Sequence, residues 1–179
     1  LLGSAIWKDF VERKGTELIG QQLGFGQEAK DLAQLAQILR DPRFETLRFF
    51  FTKGNEIVGH TATTSRMPGI VSFIPRSMGN DTAKSMNDQR LARIAELKAM
   101  MENLGADGYW MMHNHPSGKS TPSFADARIT EDTAKSMPGF QGHIVIDFDE
   151  YHVVDHKGDS VWKQVGSKSN TAELPHDAL

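Results

Sequence analysis

Gly108-Tyr-Trp-Met-Met-His113-Asn-His115-Pro-Ser-Gly-Lys-Ser-Thr-Pro-Ser123-Phe-Ala-Asp126 is the stretch from which the rest of the chain can be placed. Its first residues, Gly108 to Met112, form a short, wholly apolar run, the pattern of a central strand buried on both faces. His113 follows directly. Two histidines separated by one residue at a strand end point the same way, because side-chain direction in a strand has a period of two. Pro116, Gly118 and Pro122 then impose a loop. Ser123-x-x-Asp126 opens a stretch to Met137 that reads as a helix, with Ser123 as the N-cap of a capping box.

Working outward, a helix is expected from about Thr82 to Asn103, with Leu91, Ile94, Leu97, Met101 and Leu104 as its apolar stripe and Gly105 as its stop. Phe44 to Phe51 reads as a strand, Lys53-Gly54-Asn55 as hairpin-turn chemistry, and Ile57 to Thr64 as the returning strand. A shorter helix is expected from Gln27 to Arg40, its face carrying Leu32, Leu35, Ile38 and Leu39, and ended by Asp41-Pro42. The first 28 residues show only weak periodicity. Residues 65–82 read as loop, with a short strand from Ile70 to Ile74 as an option. Downstream, His143 to Phe148 and Tyr151 to Asp155 read as a hairpin turned at Asp149-Glu150, and beyond Trp162 the chain is polar, as a weakly ordered tail would be. The expected fold is therefore α/β (α+β), a mixed sheet flanked by helices. It divides into an N-terminal helical segment (1–41), a central domain (42–162) and a tail (163–179).

The bulk numbers narrow the class. At 179 residues the chain can bury one real core. Twenty basic against 23 acidic residues leave a net charge of −3, so no global positive field advertises nucleic acid. There is no cysteine, which excludes a disulfide framework and restricts any metal site to His, Asp, Glu, backbone or water. No segment approaches the roughly 20 apolar residues that span a bilayer, and no secretory leader is visible. The chain starts at Leu1 without methionine and is read as a fragment of a longer polypeptide, a cytoplasmic domain.

The chemistry lies in the opening stretch. His113 and His115 can chelate one ion through their rings, and the loop can fold back to add Asp126 as an oxygen ligand. Two histidines and one carboxylate leave a tetrahedral position open, the composition of catalytic rather than structural zinc. Zinc in such a site lowers the pKa of bound water to roughly 7. Each part also has a plainer reading: a His-x-His pair is weak by itself, and Ser123-x-x-Asp126 is a good cap without any catalysis. Their joint spacing raises the metal reading. Gly118-Lys119-Ser120 resembles the end of a phosphate-binding loop, but His113 stands where its first glycine is required. A nucleobase deaminase needs a Pro-Cys-x-x-Cys, and there is none. His60, His143, His152, His156 and His176 show no ligand spacing with one another. His143, at a strand start, either approaches the site from a neighbouring strand or is a packed or half-exposed structural histidine, the preferred reading.

The spacing His-x-His-Pro, seven residues, Ser-x-x-Asp is similar to the JAMM (MPN-plus) metalloprotease motif, and His-Asn-His-Pro-Ser-Gly with Thr-Pro-Ser-x-x-Asp resembles its RadC-type branch over roughly residues 43 to 160. The resemblance implies a JAB/MPN-like, cytidine-deaminase-like architecture. It also implies zinc bound by His113, His115 and Asp126, with Ser123 hydrogen-bonding the tetrahedral oxyanion. An upstream glutamate would manage the proton of the attacking water. Glu45, opening the first hairpin strand, fits the RadC-type arrangement and is preferred; Glu56, in Glu-Ile-Val-Gly59, resembles the Glu-x-x-Gly of eukaryotic members but follows the Lys53-Gly54-Asn55 turn and would begin the second strand. The implied activity is amide or isopeptide hydrolysis on a peptide or ubiquitin-like protein. The alternative is a metal-dependent module acting near DNA within a mobile-element protein, since RadC-type members carry a DNA-repair label.

Overall fold

The computed structural model describes residues 13–39, 45–64, 83–116, 119–147 and 149–164. The expected loop over 65–82, with Ile70 to Ile74 and Pro75-Arg76, and all but the start of the C-terminal tail lie outside these residues. A helical stretch at 13–18 leads to α1 (Glu28–Ala36), which tightens into a 3₁₀ turn at Gln37–Leu39. The hairpin β1 (Thr46–Lys53) and β2 (Glu56–Thr64), α2 (Ala83–Leu104) and β3 (Gly108–Asn114) follow. Then come α3 (Phe124–Ser136), β4 (Phe140–Ile146), β5 (Glu150–Val154) and β6 (Ser160–Gln164).

The six strands form one mixed sheet in the order β2-β1-β3-β4-β5-β6. β3 and β4 are parallel and joined by the crossover helix α3; the other neighbours are antiparallel. All seven residues of β3 are buried, as its apolar run requires. Alternate side chains feed two separate cores. Phe50, Trp110, Met112, Ile144 and Ile146 pack with Leu18, Leu23, Leu32, Ala33, Ala36 and Leu39 from the N-terminal segment. On the opposite face Leu47, Phe49, Phe51, Tyr109 and Met111 meet Ile94, Leu97 and Met101 of α2 and Met137 beyond α3. The consecutive phenylalanines 49, 50 and 51 thus serve both layers, each burial stabilising by roughly 1.5–3 kcal/mol.

The expected α/β (α+β) class and flanked mixed sheet are what the chain adopts, with three differences. Leu91 and Leu104 lie at the ends of the expected stripe on α2 but are exposed, so the buried face narrows to Ile94, Leu97 and Met101. β3 continues through His113 and Asn114 because β1 and β4 pair with it that far. The polar end contains a strand, β6, which pairs with β5 from Ser160↔Val154 to Gln164↔Glu150. Its exposed Val161 and Trp162 carry no amphipathic signal, and the backbone ladder holds it together with the Trp162 side chain, which bonds to Glu150. Gly105 has φ 66°, the left-handed value of a helix stop. Gly142 is required for another reason: a Cβ there would lie 2.5 Å from Cζ3 of Trp110 on the neighbouring strand. Among the described residues no helix is long and apolar enough to cross a membrane.

Candidate metal centre

The parallel pair ends where β3 runs out, and the loop leaving it returns to the N-terminus of α3. His113 faces the α2–α3 side of the sheet, in register with Leu47 and Val145. His115 lies just past the strand, yet its N–H still donates to the Ile146 carbonyl at 3.0 Å, so the strand-like direction persists for one more residue. Asp126 is set by the capping box. Ser123 N–H donates to Asp126 Oδ2 at 2.7 Å, and Asp126 N–H donates to Ser123 Oγ at 3.1 Å.

Together these elements bring His113, His115 and Asp126 into one cluster, each offering a ligand atom within 4.8 Å of the others. The two Nε2 atoms are 2.9 Å apart, His113 Nε2 is 3.2 Å from Asp126 Oδ1, and His115 Nε2 is 3.2 Å from Asp126 Oδ2. A tetrahedral zinc with ligands at about 2.0–2.1 Å sets its donors roughly 3.3 Å apart, so these spacings fit such an ion. The donor chemistry fits as well. His115 Nδ1 is 2.9 Å from the Lys119 carbonyl, which brings no proton, so the ring donates there and turns its Nε2 toward the cluster.

Electrostatics follow from this crowding. Burial opposes ionisation of Asp126, but its contacts with the two histidine rings and the N–H of Ser123 outweigh it and hold the carboxyl well below the usual range. Burial lowers the pKa of His113 despite Asp126. For His115 burial also acts downward, but the hydrogen bond and charge of Asp126 prevail and raise it. A proton on His115 therefore stands in for a cation among the three ligands.

Glu45 precedes β1 at the same end of the sheet as His113 and is only 6% exposed. Its pKa is pushed up to about 7, chiefly by burial, with the His115 charge opposing and the Asp126 charge adding. Glu56 pairs with Lys53 at the other end of the hairpin. Seven strand residues separate Lys53 from Thr46, which is about 23 Å at roughly 3.3 Å per residue. The two glutamates weighed from sequence are thus separated by topology, and Glu45, the preferred one, lies at the end of the sheet that carries the cluster. Ser123 Oγ accepts its capping bond, which leaves the hydroxyl proton for another acceptor.

Two residues that sequence reading set aside belong to this site. His143, on β4, lies with its Nε2 2.7 Å from His113 Nδ1, and its Nδ1 is 2.6 Å from Thr130 Oγ1 on α3. Burial and the neighbouring His113 push the His143 pKa well down, so the ring is neutral. No local spacing links position 143 to 113; the parallel register that pairs Met111 with His143 does. The available signal was a polar residue heading an apolar strand, which must find a buried partner. A second clasp holds the loop: Ser120 N–H donates to Glu150 Oε1 at 2.9 Å, and Ser120 Oγ is 2.7 Å from His152 Nδ1. Trp162 on β6 closes it by donating to Glu150 Oε2 at 3.0 Å.

No curated protein matches the chain. Residues 80–155 match the family model of the RadC-like JAB domain. That span holds β3, the histidine loop, α3, β4 and β5, whereas Glu45 lies before it. The matched residues hold β3, β4, β5 and the His-His-Asp cluster, and over them the chain is similar to the RadC-like JAB domain.

Proposed function

We propose that this domain is a zinc-dependent hydrolase of the metallopeptidase kind, cleaving an amide or isopeptide bond in a peptide or ubiquitin-like protein. The observation that carries the reading is the convergence of three ligand groups, with the buried Glu45 carboxyl, its pKa pushed up to about 7, at the same end of the sheet. His113, His115 and Asp126 hold the metal. When bound, zinc polarises a carbonyl and lowers the pKa of water to roughly 7. The Glu45 carboxylate takes the proton of the attacking water and returns it to the leaving nitrogen. A group poised near the working pH is best suited to both transfers, which contribute about 10²–10⁴-fold. The Ser123 hydroxyl, free to donate, supports the developing oxyanion, a contact worth a few kcal/mol in sites of this kind.

The test compares the zinc-loaded protein with its His113→Ala/His115→Ala variant on isopeptide-linked ubiquitin-like substrates and on labelled DNA. Amide cleavage that disappears in the variant is expected. Metal-dependent DNA cleavage without amide hydrolysis overturns the reading in favour of a DNA-processing module. Failure of the wild-type protein to bind zinc removes both.

A further inference from the structure

Four buried groups form a circuit around one side of the metal cluster, three of its links hydrogen bonds and the fourth the His113 ring facing the Asp126 carboxylate. Thr130 Oγ1 lies 2.6 Å from the Asp126 carbonyl oxygen. Two oxygens that close need a proton between them, and the carbonyl brings none, so the hydroxyl donates there. That hydroxyl has one proton. Its 2.6 Å contact with His143 Nδ1 must then use the histidine N–H as donor. A ring buried this completely carries a single proton, already placed on Nδ1, so its Nε2 offers a lone pair, and His113 Nδ1, 2.7 Å away, donates its N–H to it. What remains on His113 is the Nε2 lone pair, aimed at His115 and Asp126. His113, Thr130 and His143 are fully buried and Asp126 nearly so, so solvent does not replace any link.

We propose that His143 and Thr130 are positioning residues which fix the tautomer and orientation of His113 and keep its Nε2 free for metal. The proposal rests on the reading of His113 as a ligand and names the groups that make it one. The circuit starts and ends on Asp126, whose backbone carbonyl anchors Thr130 and whose carboxylate faces His113. β3, β4 and α3 are thereby locked together at the site, and the orientation of one ligand is tied to the helix turn that carries another. Outer partners of this sort typically change metal affinity by about 10–100-fold when removed.

The decisive measurement is the ring ¹⁵N spectrum of histidine-labelled, metal-free protein, which reports which nitrogen carries the proton. His113 is expected with hydrogen on Nδ1. Thr130→Val keeps the shape but removes the hydroxyl, and His143→Leu removes the acceptor; both are expected to shift His113 toward the Nε2-protonated form and to weaken zinc binding about 10–100-fold. His143→Gln, which restores a carbonyl acceptor for His113, is expected to recover most of the affinity. A wild-type His113 protonated on Nε2 overturns the proposal even if the variants do not fold. So do folded Thr130→Val and His143→Leu proteins with unchanged tautomer and affinity. None of these readings uses a substrate: a protein that holds the tautomer yet hydrolyses nothing sinks the proposed function and leaves this inference standing.

Discussion

Replacing Glu45 by glutamine should stabilise the metal-free protein at pH 8 while removing its hydrolytic activity. The reason is the burial of the carboxyl, which raises its pKa from 4.5 to about 7. The folded state therefore holds a proton on Glu45 in a range where the unfolded chain has released it. Stability falls as pH rises from about 4.5 to about 7, and the full cost is in place above 7. At about 1.4 kcal/mol per pH unit, that interval corresponds to about 3 kcal/mol. Partial solvation offsets part of it, so a gain of about 1–3 kcal/mol is expected for Glu45→Gln at pH 8. For a chain of this size each kcal/mol moves Tm by about 2–4 °C, giving a rise of roughly 2–12 °C. Thermal melts in chelator at pH 4.5 and pH 8 read it directly. At pH 4.5 both proteins carry a neutral side chain and should nearly coincide. A Glu45→Gln protein no more stable than wild type at pH 8, or displaced equally at both pH values, would refute burial of an ionisable Glu45 beside the cluster.

Further consequences are open to measurement. Zinc should displace close to one proton at pH values below the raised His115 pKa and progressively fewer above it, seen by calorimetry in two buffers of different ionisation enthalpy. Metal-free stability should carry the same sign, since a raised histidine pKa stabilises fully below the unfolded value and loses that contribution as pH rises through the folded one. Ser123→Ala should cost about 1 kcal/mol from the lost cap and about 10²–10³ in kcat, whereas Ser123→Thr should keep most of both; equal activity in Ser123→Ala would remove the hydroxyl from the oxyanion role. Gly142→Ala should lower stability by about 1–3 kcal/mol, because its Cβ would lie 2.5 Å from a Trp110 ring that the core holds in place. An unchanged melting temperature there would show that the ring can move.

Much of the fold is legible because its signals are local. The apolar run of β3 needs no partner to declare itself, since a strand buried on both faces has no polar side to alternate. The Lys53-Gly54-Asn55 turn, Gly105 with its positive φ, and the Ser123–Asp126 capping box are each fixed by residues within a few positions of one another. β6 escaped notice because Val161 and Trp162 remain exposed, and pairing with β5 rather than burial makes it a strand. Leu91 and Leu104 misled in the opposite sense: helical periodicity says which residues share a face, not where that face runs out of sheet to cover.

The site divides along the same line. Sequence by itself determined that His113 and His115 leave a strand on one side and that Asp126 sits in the first turn of a helix, because strand pleat and cap chemistry act over two or three residues. Which carboxyl shares their end of the sheet, read as Glu45 from strand order, depends on tertiary pairing. Glu45 and Glu56 are eleven positions apart, and only the antiparallel pairing of β1 with β3 puts one at the cluster's end of the sheet and the other at the far end of the hairpin. Tertiary structure also decided the proton inventory. His143 and Thr130 reach His113 across a parallel ladder and a crossover helix, and a hydrogen bond of 2.7 Å depends on a register that no local pattern encodes.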